Sequence, residues 1–546
     1  MTRSGYVHLF ARVAAGGLAA LAVLAGPQAP SRAKPEGAQS ASLEGVVTES
    51  PGDVPVPDAI ITVAGRGPSK SAKTDSNGRY AVTGMAPGVY SVFPRKEGYG
   101  RGMSAPPKRV RLTDVQSVAK VDFELHREAV VAGRVLDAEK RPMSGERVML
   151  WSHGYALGRR TFDLRGSGST NDLGEFRISG LREGRYYLAA VPEMLRIQNR
   201  SNHSSAARKV TEADVRTFYM SSSSPSGAAP VVLRGGEQLE GADIVLSRTE
   251  TYCVTGTVDR TGSERIGLTL TEVADGWSTP IAGGSIGEGQ EFEVCGLPRG
   301  EYHLLAITTT PDGHLVRLAR ADFSVSNRDI ALGKMALVSP SEMAGHLSMT
   351  GAESDPPALT GTFIRLLPTD RPAYLNETPE VELKRTGSFV LPHVFTGDYW
   401  ATFRLPAGFY VKQANCGFGN ALREPLRPGC GQLQILLGVD GAALSGRVNE
   451  EKDSLPISDA TVVLIPAPLP ETLAPGVLRT IATDQNGDFE FSGVAPGKYR
   501  LLAFAGLRNR EAEDPEFVRQ WQSKGTEITV QGREQKSVTL SPQRTQ

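Results

Sequence analysis

Five times along this chain an aromatic ring precedes a tyrosine by ten residues, and each time a glycine stands two residues before that tyrosine. The pairs are Tyr80 with Tyr90, Phe176 with Tyr186, Phe292 with Tyr302, Phe389 with Tyr399 and Phe489 with Tyr499. In the clearest copies a tight-turn sequence comes first, Asp75-Ser76-Asn77-Gly78 or Asp484-Gln485-Asn486-Gly487, and a second turn follows at Pro87-Gly88 or Pro496-Gly497. In such turns an Asx side chain bonds the backbone ahead of it, while glycine takes up the positive φ that a β-branched residue resists. Ahead of each copy runs a strand-like segment holding Gly45, Gly133, Gly256, Gly345 or Gly446, at intervals of 88, 123, 89 and 101 residues. Self-similarity at this period means a repeated unit of ordinary domain size.

Within a unit, Tyr80 and Val82 and then Tyr90 and Val92 alternate with small or polar neighbours, as half-buried strands require. The first two units close with the strand-like runs Val110-Arg111-Leu112 and Val121 to Leu125, then Val231-Val232-Leu233 and Ala242 to Leu246. The 60 glycines and 36 prolines are spread between short apolar runs. The pattern predicts an all-β chain in which each unit folds about seven short strands into a sandwich. Its 60 basic and 60 acidic residues leave no net charge, so the basic excess that drives nucleic-acid binding is missing.

Three features then occur together: G-x-V on the first strand, a proline-containing turn at Val56-Pro57-Asp58, and D-x-x-G-x-[YF] followed by G-[LMV]-x-x-G-x-Y. In combination they resemble the carboxypeptidase regulatory-like domain, which implies a transthyretin-like β-sandwich. Units one and five carry the pattern in full. In unit two Asn171 replaces the leading Asp and Arg182-Glu183 replaces Ala-Pro, in unit three Gln290 stands where the turn glycine is expected, and in unit four His393 takes the place of Gly84 and Gly493. The resemblance specifies a fold and no chemistry.

At the N-terminus Arg3 and Arg12 precede an apolar stretch from Val13 to Ala25, with small-residue cleavage sites at Val23-Leu24-Ala25 and Ser31-Arg32-Ala33. This reads as a signal peptide, the alternative being an uncleaved membrane anchor, because 13 apolar residues fall short of the ~18 of a spanning helix. The expected division is therefore a signal peptide and lead-in over 1–33 and five sandwiches over 41–127, 128–249, 250–339, 340–440 and 441–543. The second carries an insert near 195–230 that contains the serine run 221–224. No transmembrane segment is expected once the signal is removed.

Four cysteines fit an oxidising compartment. Pairing within units joins Cys253 to Cys295 and Cys416 to Cys430, which would brace the two units with the most altered turns. Buried free thiols are the competing reading, and a four-cysteine zinc site lacks the C-x-x-C spacing it needs.

No histidine opens an H-x-x-E or H-E-x-x-H, so the zinc peptidase chemistry in the family's name is not expected. Gly283-Gly284-Ser285-Ile286-Gly287 satisfies G-x-S-x-G, but a nucleophile elbow needs a strand-to-helix turn in an α/β sheet. The Asp75 and Asp484 turns resemble calcium loops without the closing bidentate Glu. Catalytic, cofactor-binding and metal residues are thus expected to be none. Trp151 with Tyr155, and Trp277, are candidates for sugar stacking, against the plainer reading as core rings. The segment 514–521 predicts a short helix with Phe517 and Trp521 on one face. The leading functional expectation is an exported, non-enzymatic envelope or extracellular scaffold for adhesion, assembly or spacing, and the alternative is a carbohydrate-binding protein. Its partner would be an unknown protein or polysaccharide.

Overall fold

The computed structural model describes residues 41–544 except 51, 66, 100–106, 114–117, 157–158, 193, 201–210, 260–264, 275–276, 287–290, 311–313, 351–358, 370–377, 453 and 508–510. The signal segment, Gln290 and Gly287 lie outside the described residues. Of the described residues 62% are strand and 3% helix, an all-β composition. Among the described residues no helix is long and apolar enough to cross a membrane.

Buried apolar side chains form five large clusters, spanning Ala41 to Leu125, Ala129 to Leu246, Ile197 to Met335, Met343 to Leu437 and Ala442 to Leu540. Each lies between two sheets, and four of the five share one wiring. In the first, Ala41–Ser50 is central, antiparallel to Arg79–Met85 and parallel to Val118–Lys120 and Phe123–His126. The facing sheet runs Gly67–Lys73, Ile60–Gly65, Gly88–Arg95, Lys108–Leu112. The two closing runs of a unit therefore do not pair with each other but enter opposite sheets. The same central strand, with one antiparallel and one parallel neighbour, recurs at Ala129–Leu136, Tyr252–Val258, Ser341–Met349 and Ala442–Val448.

The repeated residues have physical reasons. Gly45, Gly133, Gly256, Gly345 and Gly446 each stand directly across the ladder from the motif ring. A Cβ on Gly345 would sit 2.1 Å from the Phe389 ring, and one on Gly446 would lie 2.0 Å from the Val538 carbonyl. The ring thus covers a backbone that only glycine leaves bare. Ten residues on, the tyrosine hydroxyl donates to the carbonyl four residues before it: Tyr90 to Ala86 at 2.8 Å, Tyr186 to Arg182 at 2.7 Å, Tyr302 to Pro298 at 2.7 Å, Tyr399 to Phe395 at 3.1 Å and Tyr499 to Ala495 at 2.8 Å. The intervening glycine lies under the ring, and this hook fixes the turn between two strands.

The preceding turn is held by its Asx side chain. Asp75 Oδ1 accepts from the N–H of Asn77 and Arg79, Asn171 Oδ1 from Leu173 and Glu175, and Asp484 Oδ1 from Asn486 and Asp488. Asn171 serves as well as Asp because only an acceptor oxygen is required. In unit four His393 itself adopts φ 56°, the left-handed conformation of the glycine it replaces.

Unit four departs from the shared wiring. Tyr410–Cys416, the counterpart of Lys108–Leu112, leaves the second sheet and pairs instead with Leu433–Gly438 in the first. Among the described residues the second sheet is left with three strands, Glu380–Leu383, Thr362–Pro368 and Tyr399–Arg404. In unit five a helix, Pro515–Trp521, is capped by Asp514 and lays Phe517 and Trp521 on Phe504 at ring separations of 5.1 and 5.5 Å, as its sequence predicts.

Candidate functional site

Chemistry-bearing residues collect at disulfides and at contacts between cores. Cys253 is bonded to Cys295 and Cys416 to Cys430, the pairing expected within units. Cys253 and Cys295 face each other on adjacent strands. Cys416 ends the strand that changes sheets, and Cys430 stands just before the strand it joins. Glu293 lies close to the first pair, but both sulfurs there are already bonded to each other.

The tryptophans meet where the second core adjoins the third. Trp151 and Trp277 pack edge to face at 4.3 Å with 4% and 1% exposure, and Phe218 and Phe162 stand 5.4 and 5.0 Å from Trp277. This corrects the sugar-stacking expectation for Trp151 and Trp277, because rings enclosed by other rings present no face to a sugar. Tyr155 is half-buried, with Arg160 6.0 Å from its ring centre. The buried Arg216 completes the junction. Its guanidinium lies 5.0 Å from Trp277 and 5.5 Å from Phe218 and pairs with Glu272 at 2.9 Å. Beside it His153 shares a 2.9 Å hydrogen bond with Tyr187, and burial, with Arg160 and Arg185 nearby, lowers its pKa.

A second lock at this junction comes from the insert. Leu195–Arg196 pairs with Trp277–Ile286 and Gln198–Asn199 with Glu291–Leu297, so the insert spans both sheets of unit three. Between them Ile197 points into the third core, 5% exposed.

The fifth core touches the first and the second. Gln485, at the tip of its Asx turn, reads the edge of Lys108–Leu112 like an added strand. Its Oε1 accepts from the Arg111 N–H at 3.0 Å and its Nε2 donates to the Arg111 carbonyl at 2.7 Å. Arg111 pairs with Glu490 at 3.1 Å and Lys108 with Asp459 at 3.6 Å. Burial raises the Asp459 pKa to about 6, against the pull of Lys108. Arg160 of unit two reaches Asp514 and Glu516 at 3.8 and 3.3 Å. Between the first and fifth cores lies a cleft of about 270 Å³, lined by Lys108, Arg109, Lys120, Asp122, Ser458 and Gln485 among others.

The remaining motif residues have structural placements. Ser285 sits within strand Trp277–Ile286 opposite Gly267, away from any strand-to-helix turn. The Asp75 and Asp484 oxygens hold turns, as described above. Three buried threonines escaped the sequence reading. Thr74 Oγ1 accepts from the Ala59 N–H and donates to the Val56 carbonyl, and Thr170 and Thr483 make the same bridge to Glu146 and Met143 and to Ala460 and Ile457. All three immediately precede the turn Asx, so extending the repeat by one residue would have found them.

Residues 42–126 match the family model of the carboxypeptidase regulatory-like domain. The match covers the first unit alone, and the glycine–ring pair and tyrosine hook found within it recur four more times along the described residues. Among solved structures the chain is similar to the Bacillus anthracis TIE protein, with 12% identity, 55% of this chain and 51% of that chain covered, and a TM-score of 0.17. It thus spans about half the length of that relative. BcpA, the major pilin subunit of Bacillus cereus, shows 8% identity over 92% of this chain and 98% of its own, with a TM-score of 0.15. Two B repeat units of the collagen binding protein of Staphylococcus aureus show 10% identity over 86% and 94%, with a TM-score of 0.14. No curated protein matches the chain.

Proposed function

We propose that this protein is an exported, non-enzymatic scaffold of five tandem β-sandwich domains, bounded near 41–127, 128–249, 250–339, 340–440 and 441–543, that holds partners in the cell envelope or outside the cell. The observation that carries the reading is where its polar and aromatic groups are used. The tryptophans, Arg216 and Ile197 join the second core to the third, and Gln485 joins the fifth to the first. Among the described residues Arg216 and Gln485 are committed to inter-core contacts, and Asp75, Asn171 and Asp484 to turns. Two disulfides support an oxidising destination. The test is fractionation of cells making the full chain, combined with a broad hydrolase screen. The reading requires the processed, disulfide-bonded protein in an exported fraction and no turnover. Retention in the cytoplasm with reduced thiols, or a hydrolase activity lost in Ser285→Ala, would overturn it.

A further inference from the structure

We propose that the cleft between the first and fifth cores binds the carboxylate of an acidic polysaccharide. The inference stands on the contact between those cores and is independent of the scaffold reading. Three cations line the cleft, and two are answered locally: Lys120 by Asp122 at 3.1 Å and Lys108 by Asp459 at 3.6 Å. Arg109 is different. It is half-buried, and no hydrogen bond or ion pair engages its guanidinium among the described residues, although Arg111 on the same strand holds Glu490.

A guanidinium presents a rigid fork of donors that matches a carboxylate in two parallel bonds. Partial enclosure between two cores strengthens such a pair relative to open solvent. With Asp122 and Asp459 set against Lys108, Arg109 and Lys120, the site keeps one positive charge, and an anion satisfies it. A space of about 270 Å³ holds several times the volume of a water molecule, which gives room for a carboxylate together with part of the sugar ring that carries it. The Ser458 hydroxyl and the Lys120 ammonium can serve ring hydroxyls. Among the described residues no aromatic side chain lines the cleft, so recognition here depends on charge and not on ring stacking. The walls are also preset. Gln485 fastens the fifth core to the Arg111 main chain through two hydrogen bonds, so little order is lost on binding.

The test is affinity electrophoresis and titration of the full chain with polygalacturonate, dextran sulfate and neutral dextran at low and high salt. Polygalacturonate should bind, weaken with salt and lose about tenfold or more in affinity in Arg109→Ala. Arg109→Lys should recover part of the loss, and Lys412→Ala, a charge removal in unit four, should change nothing. Absence of polygalacturonate binding, or equal binding by Arg109→Ala with an unchanged melting temperature, would overturn the site. Arg109-dependent binding of dextran sulfate as tight as that of polygalacturonate would overturn the carboxylate assignment, and so would binding of neutral dextran. Failure of any arm leaves the fractionation result that tests the scaffold reading untouched.

Discussion

Ile197→Ala should release the insert of unit two from unit three. The side chain is 5% exposed and packs in the third core between two short strands that pair with different sheets of that core. Replacing isoleucine by alanine removes three carbons, about 2.4 kcal/mol at ~0.8 kcal/mol each, before any residual cavity adds its cost. If the insert opens locally, that energy enters its opening equilibrium as roughly a sixtyfold increase. The Ile197 amide donates to the Gly283 carbonyl at 3.1 Å, so it reports the opening directly. Hydrogen exchange of peptides covering 195–199 should therefore accelerate by about that factor, while peptides from unit five stay unchanged. Gly284→Ala supplies an independent route to the same state, because its new Cβ would lie 2.4 Å from the Ile197 carbonyl oxygen. Unchanged protection at 195–199 in both variants would refute the idea that Ile197 locks the junction.

Replacing Cys253 and Cys295 together by alanine should cost about 4 kcal/mol in the chain-entropy model, and the Cys416–Cys430 pair about 3 kcal/mol, since the first closes the longer loop. Denaturant melts of the two double variants would rank them, and the reverse order would contradict the loop argument. Thr483→Val leaves the buried Ala460 N–H without its acceptor and should destabilise unit five by about 1–3 kcal/mol, read as a lower denaturant midpoint. Asp459 has its pKa raised from 3.8 to about 6 where the first and fifth cores meet. A raised carboxyl pKa means that the folded chain holds this proton more tightly than the unfolded chain. Its contribution is therefore complete below pH 3.8 and lost as pH rises through about 6. Protection of the Arg111 amide, corrected for intrinsic exchange, should fall across that window in the native chain and lose this dependence in Asp459→Asn.

The repeat was legible because its residues act locally. A glycine, a ring and a tyrosine hook must keep fixed offsets to build one turn, and that constraint is written in spacing. The cysteine pairing was legible for a similar reason, as each bridge closes a loop inside one unit. What spacing does not encode is contact across the chain. Trp151 and Trp277 look alike in sequence whether they face solvent or each other, and only the meeting of two cores buries them. Gln485 is an unremarkable turn residue until Arg111, 374 positions away, presents a bare strand edge. The sheet change of Tyr410–Cys416 is equally nonlocal, since its alternation is the same on either sheet.

The charged cleft depends on contact between the first and fifth cores, one of the inter-core contacts cited for the proposed function, and a spin-label distance measures that contact most directly. With both native disulfides formed no thiol competes for label, so Lys120→Cys and Ser458→Cys can be labelled as a pair across the cleft. One narrow, short distance distribution is the expected result. A broad distribution extending to long distances would show that the two cores move independently and would contradict the closed contact.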